Sequence, residues 1–161
     1  MKTALLRSGP GRAATPAATA ATAAFVAGAL LVVWSAYIHF HLWDETDGYR
    51  QLSVIGPLFL AQAIGGLVLG ILIVAVRRVW VAIGGIGFAL STIAGFLLTV
   101  GLPKGLFNFK ESWAAPFATQ AFGIEVAITV VLAMAGILCC NGSASTLRSG
   151  SAPTGIASSG A

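Results

Sequence analysis

Four apolar runs dominate the chain, at about 18–40, 54–76, 79–101 and 115–139. Each is close to the roughly 20 residues that a bilayer-spanning helix needs. Polar residues gather in the breaks between them, and the break between the second and third runs is little more than Arg77-Arg78. The pattern predicts an all-α fold, a four-transmembrane-helix bundle occupying residues 18–140 as one domain. The segments on either side read differently. Residues 1–17, MKTALLRSGPGRAATPA, are small, basic and broken by Pro and Gly, which predicts a disordered tail. Residues 141–161, NGSASTLRSGSAPTGIASSGA, have loop composition and predict a second one. The run from Ala18 to Phe40 is too long for the core of a signal peptide, so an uncleaved first helix is expected.

Composition sharpens the class. Charged residues make up 9% of the chain, hydrophobic residues 57%, and the mean hydropathy is +0.91. Soluble domains carry about 25% charged residues. A chain this poor in charge cannot cover a water-facing surface, and an integral membrane protein is the reading that remains. The net charge of +4 does not point to nucleic acid, because Lys and Arg occur singly or in pairs with no basic face or aromatic RNA-reading motif.

The positions of the charges predict an orientation. Lys2, Arg7, Arg12, Arg77, Arg78 and Arg148 fall on one side, and Arg50, Lys104 and Lys110 on the other. Both termini are therefore expected in the cytoplasm. Trp43 and Trp113 fall near the outer interface and Trp80 near the inner one, where indole rings prefer to sit. The loop GLPKGLFNFKESWAAP is expected to dip Phe107, Phe109 and Trp113 into the outer leaflet.

Helices in lipid associate through close backbone approach and buried polar contacts. Gln62, Gly66 and Gly70 share one face of the second run, and Gly87, Ser91, Gly95 and Thr99 one face of the third. Ala121, Glu125, Thr129 and Ala133 line up in the fourth, and Ala24, Gly28, Leu31, Ser35 and His39 in the first. Gly66, Gly70, Gly87 and Gly95 are the expected helix-packing positions.

Glu125 is the one acid inside an apolar run, roughly 15 Å from its outer end, and Gln62 lies roughly 12 Å deep in the second. Ser91 and Thr92 reach a comparable depth. An ionised carboxylate there costs at least about 2.5–3.5 kcal/mol. A protonated Glu125 donating a hydrogen bond to Gln62 is expected, either as a polar clasp between helices or as a proton-coupling or ion-binding group.

The remaining titratable chemistry is concentrated in HFHLWDETDGYR, residues 39–50, the first external loop of this topology. His39, His41, Asp44, Glu45, Asp47 and Arg50 lie there, with Tyr37 just before it and Glu111 in the second external loop. The simplest reason is that these are among the few places in contact with water. A metal site at His39, His41 and Glu45 is the sharper alternative, since imidazole and carboxylate suit Zn, Cu, Fe or Ni. The spacing matches no recognised metal site. A bis-histidine haem lacks a histidine on a facing helix, and Cys139-Cys140 fits neither a disulfide framework nor a zinc finger. No nucleophile elbow, phosphate loop or HExxH is found, so neither a catalytic residue nor a cofactor is expected.

At YIHFHLWDETDGYRQLSVIGPLFLAQAIGG and GLFNFKESWAAPFATQAFGIEVA the chain resembles a group of uncharacterised small four-helix integral membrane proteins of high-GC Gram-positive bacteria. The likeness covers residues about 37–139, and Tyr37, His39, Gly48, Tyr49, Arg50, Glu111 and Glu125 fall on its pattern. Gln62 departs from it, being a longer amide where that group often has Asn. The resemblance implies a multi-pass protein of the bacterial inner membrane and no reaction. Three roles follow. The first is a non-enzymatic accessory or assembly subunit, with lipid, other membrane proteins or a second copy as partners. The second is a small transporter or proton-coupled channel using Glu125 and Gln62. The third is a metal- or quinone-linked redox protein using His39 and His41.

Overall fold

A computed structural model describes residues 16–45 and 48–149, with side chains as far as residue 141. Four helices account for most of them: α1 (Pro16–Asp44), α2 (Ile55–Val76), α3 (Val79–Gly101) and α4 (Ala118–Ser149). No strand occurs among the described residues, only an isolated bridge between Leu106 and Phe109. All four helices are long and apolar enough to cross a membrane. The all-α, four-helix expectation holds.

The helix ends follow local chemistry. Pro16 opens α1, a position where its missing N–H is not needed. α1 runs past the apolar stretch to Asp44, because extending an existing helix needs no new nucleus. The first part of the predicted external loop is therefore helical. Pro57 lies in the first turn of α2, where it removes no intrahelical bond. Arg77 closes α2 in the left-handed conformation (φ 47°), its N–H bonded to Ile73 O at 3.1 Å, and extended Arg78 leads directly into α3. Two cations at that point also complement the negative end of α2. α4 starts at Ala118 rather than at 115 because Phe117 has φ 62°, which no right-handed helix contains. At its other end α4 continues helically to Ser149, beyond the predicted limit at 139 and through sequence of loop composition. The predicted tails otherwise fall on residues 1–15 and 150–161, outside the described residues.

α1 is the centre of the bundle, packed along both α2 and α4, and α3 packs on α4. α2 and α3 touch little, although a two-residue turn joins them. Close approach of α1 to α2 requires the α2 glycines. A Cβ on Gly70 would lie 2.6 Å from Val33 Cγ2, and one on Gly66 3.0 Å from Ala36 Cβ. Leu132 of α4 occupies the space that side chains on Gly28 of α1 and Gly85 of α3 would need. With Phe25, Val32, Ile73 and Ile128 it forms a core nearest the Arg77–Arg78 turn.

The packing face of α3 agrees with the expected one at buried Thr99 and differs from it along the rest of the helix. Ala82, Gly85 and Ala89 are buried, whereas a Cβ on Gly87 or Gly95 would meet nothing within 4 Å. In α4 the buried row is Glu125, Ile128, Leu132 and Ala135. Large apolar side chains such as Leu30, Ile71, Trp80 and Ile137 point outward. Water would penalise such a surface and lipid solvates it, so the fold is compatible with an integral membrane protein.

Candidate functional site

Because α2 and α3 diverge from their shared turn, a chamber of about 370 Å³ opens between them and α4. It is bounded by polar groups deep in the bundle, aromatic walls, and a mouth built by the two connections at the other end of the helices.

Glu125 is buried deep in the bundle, with only 1% of its surface exposed. The Ser35 hydroxyl of α1 donates to Glu125 Oε1, tying α1 to α4. Oε2 is buried without a hydrogen-bond partner. One turn further along α1, His39 Nδ1 lies 2.9 Å from Ser35 O. A carbonyl only accepts, so Nδ1 is the donor in this bond. The second polar tie runs from Gln62 Nε2 of α2 to Thr92 Oγ1 of α3, and Thr92 in turn donates to Phe88 O at 3.1 Å. This bond spans the helix pair that otherwise touches little.

The partner of Glu125 is thus Ser35, not the expected Gln62. Ser35 is the shorter side chain, but α1 packs directly on α4, whereas Gln62 is taken up by Thr92. Ser91, expected in the same cluster, is exposed and bonds its own helix at Phe88 O, 2.7 Å away.

Two aromatic groups flank the chamber. On one side Tyr49 stacks on Phe59 (4.3 Å between centroids), with His39 at 5.2 Å from Phe59 and Phe109 edge-on to Tyr49 at 5.5 Å. On the other, Trp113 packs edge-on against Phe96 (4.7 Å) and Phe122 (5.2 Å). Phe109 therefore turns onto the bundle, Trp113 packs on it while staying 44% exposed, and Phe107 is 59% exposed. Phe59, Phe96 and Phe122 were not singled out from the sequence. Each lies three or four residues from Gln62, Thr92 or Glu125, so one-turn spacing from an intramembrane polar residue was the signal that would have found them.

At the mouth, Gly48 abuts the end of α1, where a Cβ would lie 2.5 Å from Leu42 O and 2.7 Å from Glu45 O. That contact places Tyr49 so that its hydroxyl donates to Glu111 Oε2 at 2.6 Å. Burial pushes the Tyr49 phenol above its usual range, and the hydrogen bond and charge of Glu111 add to the effect.

The other candidate residues stay outside the chamber. Tyr37 is exposed and stacks on His41 at 5.9 Å. His41 Nε2 pairs with Glu45 Oε1 at 3.1 Å, and Arg50 with Asp44 at 3.7 Å, both solvent-accessible pairs of small energetic consequence. Asp47 lies outside the described residues. His39 and His41, two positions apart on one helix, point to different sides, and among the described residues no three His, Cys, Asp or Glu side chains converge. The set proposed for metal, His39, His41 and Glu45, is therefore split.

Fold and site together define a four-helix membrane-type bundle with a chamber lined by a buried acid, Glu125. No protein-family profile, curated protein or solved structure matches the chain.

Proposed function

We propose that this protein is a small proton-linked membrane carrier in which Glu125 exchanges a proton against a molecule held in the chamber. The observation that supports the reading is Glu125 Oε2, a buried carboxyl oxygen without a partner, on a side chain that lines a cavity large enough for a ligand. A clasp serving packing alone would satisfy both oxygens, since an unmet buried polar atom costs about 1–3 kcal/mol. Acids at such depth are functional candidates by default.

The apolar core around Leu132 blocks the far end, which favours a carrier over an open channel. With both termini cytoplasmic, as the Lys/Arg bias predicts, the mouth faces outward from the bacterial inner membrane. The accessory-subunit role has no residue that selects it over the carrier, and the redox role loses its histidine pair.

The test is labelling of the full chain in liposomes with a membrane-permeant carbodiimide, which adds to protonated carboxyls. Modification mapped to Glu125 by peptide mass, falling as pH is raised and absent in Glu125→Gln, is the expected result. A Glu125 that stays unmodified at every pH would remove the proton-exchanging role.

A further inference from the structure

Among the described residues, the carboxyl groups lining the chamber are Glu125 and Glu111, and no lysine or arginine lines it. Tyr49, Phe59, Phe96, Phe109, Phe117 and Phe122 contribute aromatic surface. Aromatic faces carry negative charge density and attract cations, most strongly where water is displaced. A deep carboxyl, a second one at the mouth and aromatic walls between them all favour the same sign of charge. From this juxtaposition we infer that the ligand is a lipophilic organic monocation, an aromatic or alkyl ammonium, seated against Glu125.

Size and route agree with this class. The volume of about 370 Å³ accommodates a ligand with one or two rings. α2 and α3 touch little, and Leu58 and Ser91, which line the chamber between them, are also exposed on the outside of the bundle. A molecule dissolved in lipid can therefore reach the chamber between these helices. Small hydrated metal cations fit less well, because they favour shells of six or more oxygens whereas this lining is largely apolar and aromatic.

Charge balance gives the mechanism. A neutral Glu125 carboxylic acid meets the ammonium, its Oε2 proton leaves to bulk water, and the carboxylate–ammonium pair that remains is neutral. Proton and cation thus compete for one group. Among the described residues, Glu125 on α4, His39 on α1, and Tyr49 and Glu111 at the mouth are the titratable groups around the chamber; α2 and α3 contribute none. The inference rests on the proton-linked reading above and adds the ligand class to it.

The experiment is calorimetry of the full chain in lipid nanodiscs with benzyltrimethylammonium and with neopentylbenzene, its neutral isostere, in weakly buffered solution. Expected are binding of the cation with release of about one proton, and roughly tenfold weaker binding of the isostere. Glu125→Gln is expected to lose the proton release and roughly tenfold in affinity. Phe122→Leu is expected to weaken the cation about threefold and leave the isostere unchanged. If Glu125→Gln does not fold, wild-type proton release and Phe122→Leu decide. Equal binding of both probes, or of neither, would overturn the cationic ligand. Carbodiimide labelling of Glu125 would then still stand for the proton-linked reading. Cation binding without proton release would do the reverse, keeping the ligand class and removing the coupling.

Discussion

The Tyr49 hydroxyl donates to Glu111 Oε2 over 2.6 Å, bridging the connection before α2 and the one after α3. Residues in two separate loops thereby become a single rim around the chamber.

This bond makes stability depend on alkaline pH. The phenol of Tyr49 is pushed up by burial first, then by its bond to Glu111 and the charges of Glu111 and Glu45. The folded state holds the proton more tightly than the unfolded chain. Its contribution is therefore intact below pH about 10 and is lost as pH rises through the folded-state value. Tyr49→Phe should lower stability by roughly 1 kcal/mol at neutral pH and flatten the alkaline fall. Thermal unfolding across an alkaline series checks both.

Ser35→Ala tests the tie between α1 and α4. It leaves Glu125 with two unpaired oxygens and should cost about 1 kcal/mol, in line with hydrogen bonds inside membrane bundles. Gln62→Leu should act independently, because its partner is Thr92. Additive losses in the double variant are expected; a coupling above about 0.5 kcal/mol would place Gln62 on Glu125 after all.

Glycine substitutions should separate contact from coincidence. Gly70→Ala drives a methyl into Val33 and should cost about 1–3 kcal/mol. Gly87→Ala meets open space and should be neutral, or stabilising by up to about 1 kcal/mol through helix propensity. Equal losses from the two would mean that α3 packs through the Gly87 face.

The turn Leu106–Phe109 is closed by reciprocal backbone bonds of 2.9 Å, with Phe107 and Asn108 at φ 53° and 61°. Asn tolerates this conformation and a β-branched residue does not. Asn108→Gly should match or exceed wild-type stability, whereas Asn108→Val should lose about 1–2 kcal/mol. Unfolding midpoints in one detergent rank the three proteins.

Part of the site was legible before the fold. Glu125 is conspicuous as the one acid inside an apolar run, and Gln62 and Thr92 as amide and hydroxyl at matching depth. Their pairing was not, because depth along a helix says nothing about which neighbour its face meets. Ser35 already stood in the small-residue row of the first run, yet nothing in that row marked it as the carboxyl's donor. The shift of α4 to Ala118 was hidden as well, since it depends on the backbone of Phe117.

By itself the sequence determined four membrane-length helices, the tight Arg77–Arg78 turn and the acid in the last helix. These follow from transfer of side chains to lipid, which sums along each run and needs no knowledge of its neighbours. The tertiary structure alone decided that Gly66 and Gly70 meet α1, that Gly87 and Gly95 meet nothing, and that α2 and α3 part to leave a chamber. Lipid solvates every apolar face of a helix about equally well, so the choice of partner face rests on interhelical shape and hydrogen bonds, which exist only once the bundle has formed.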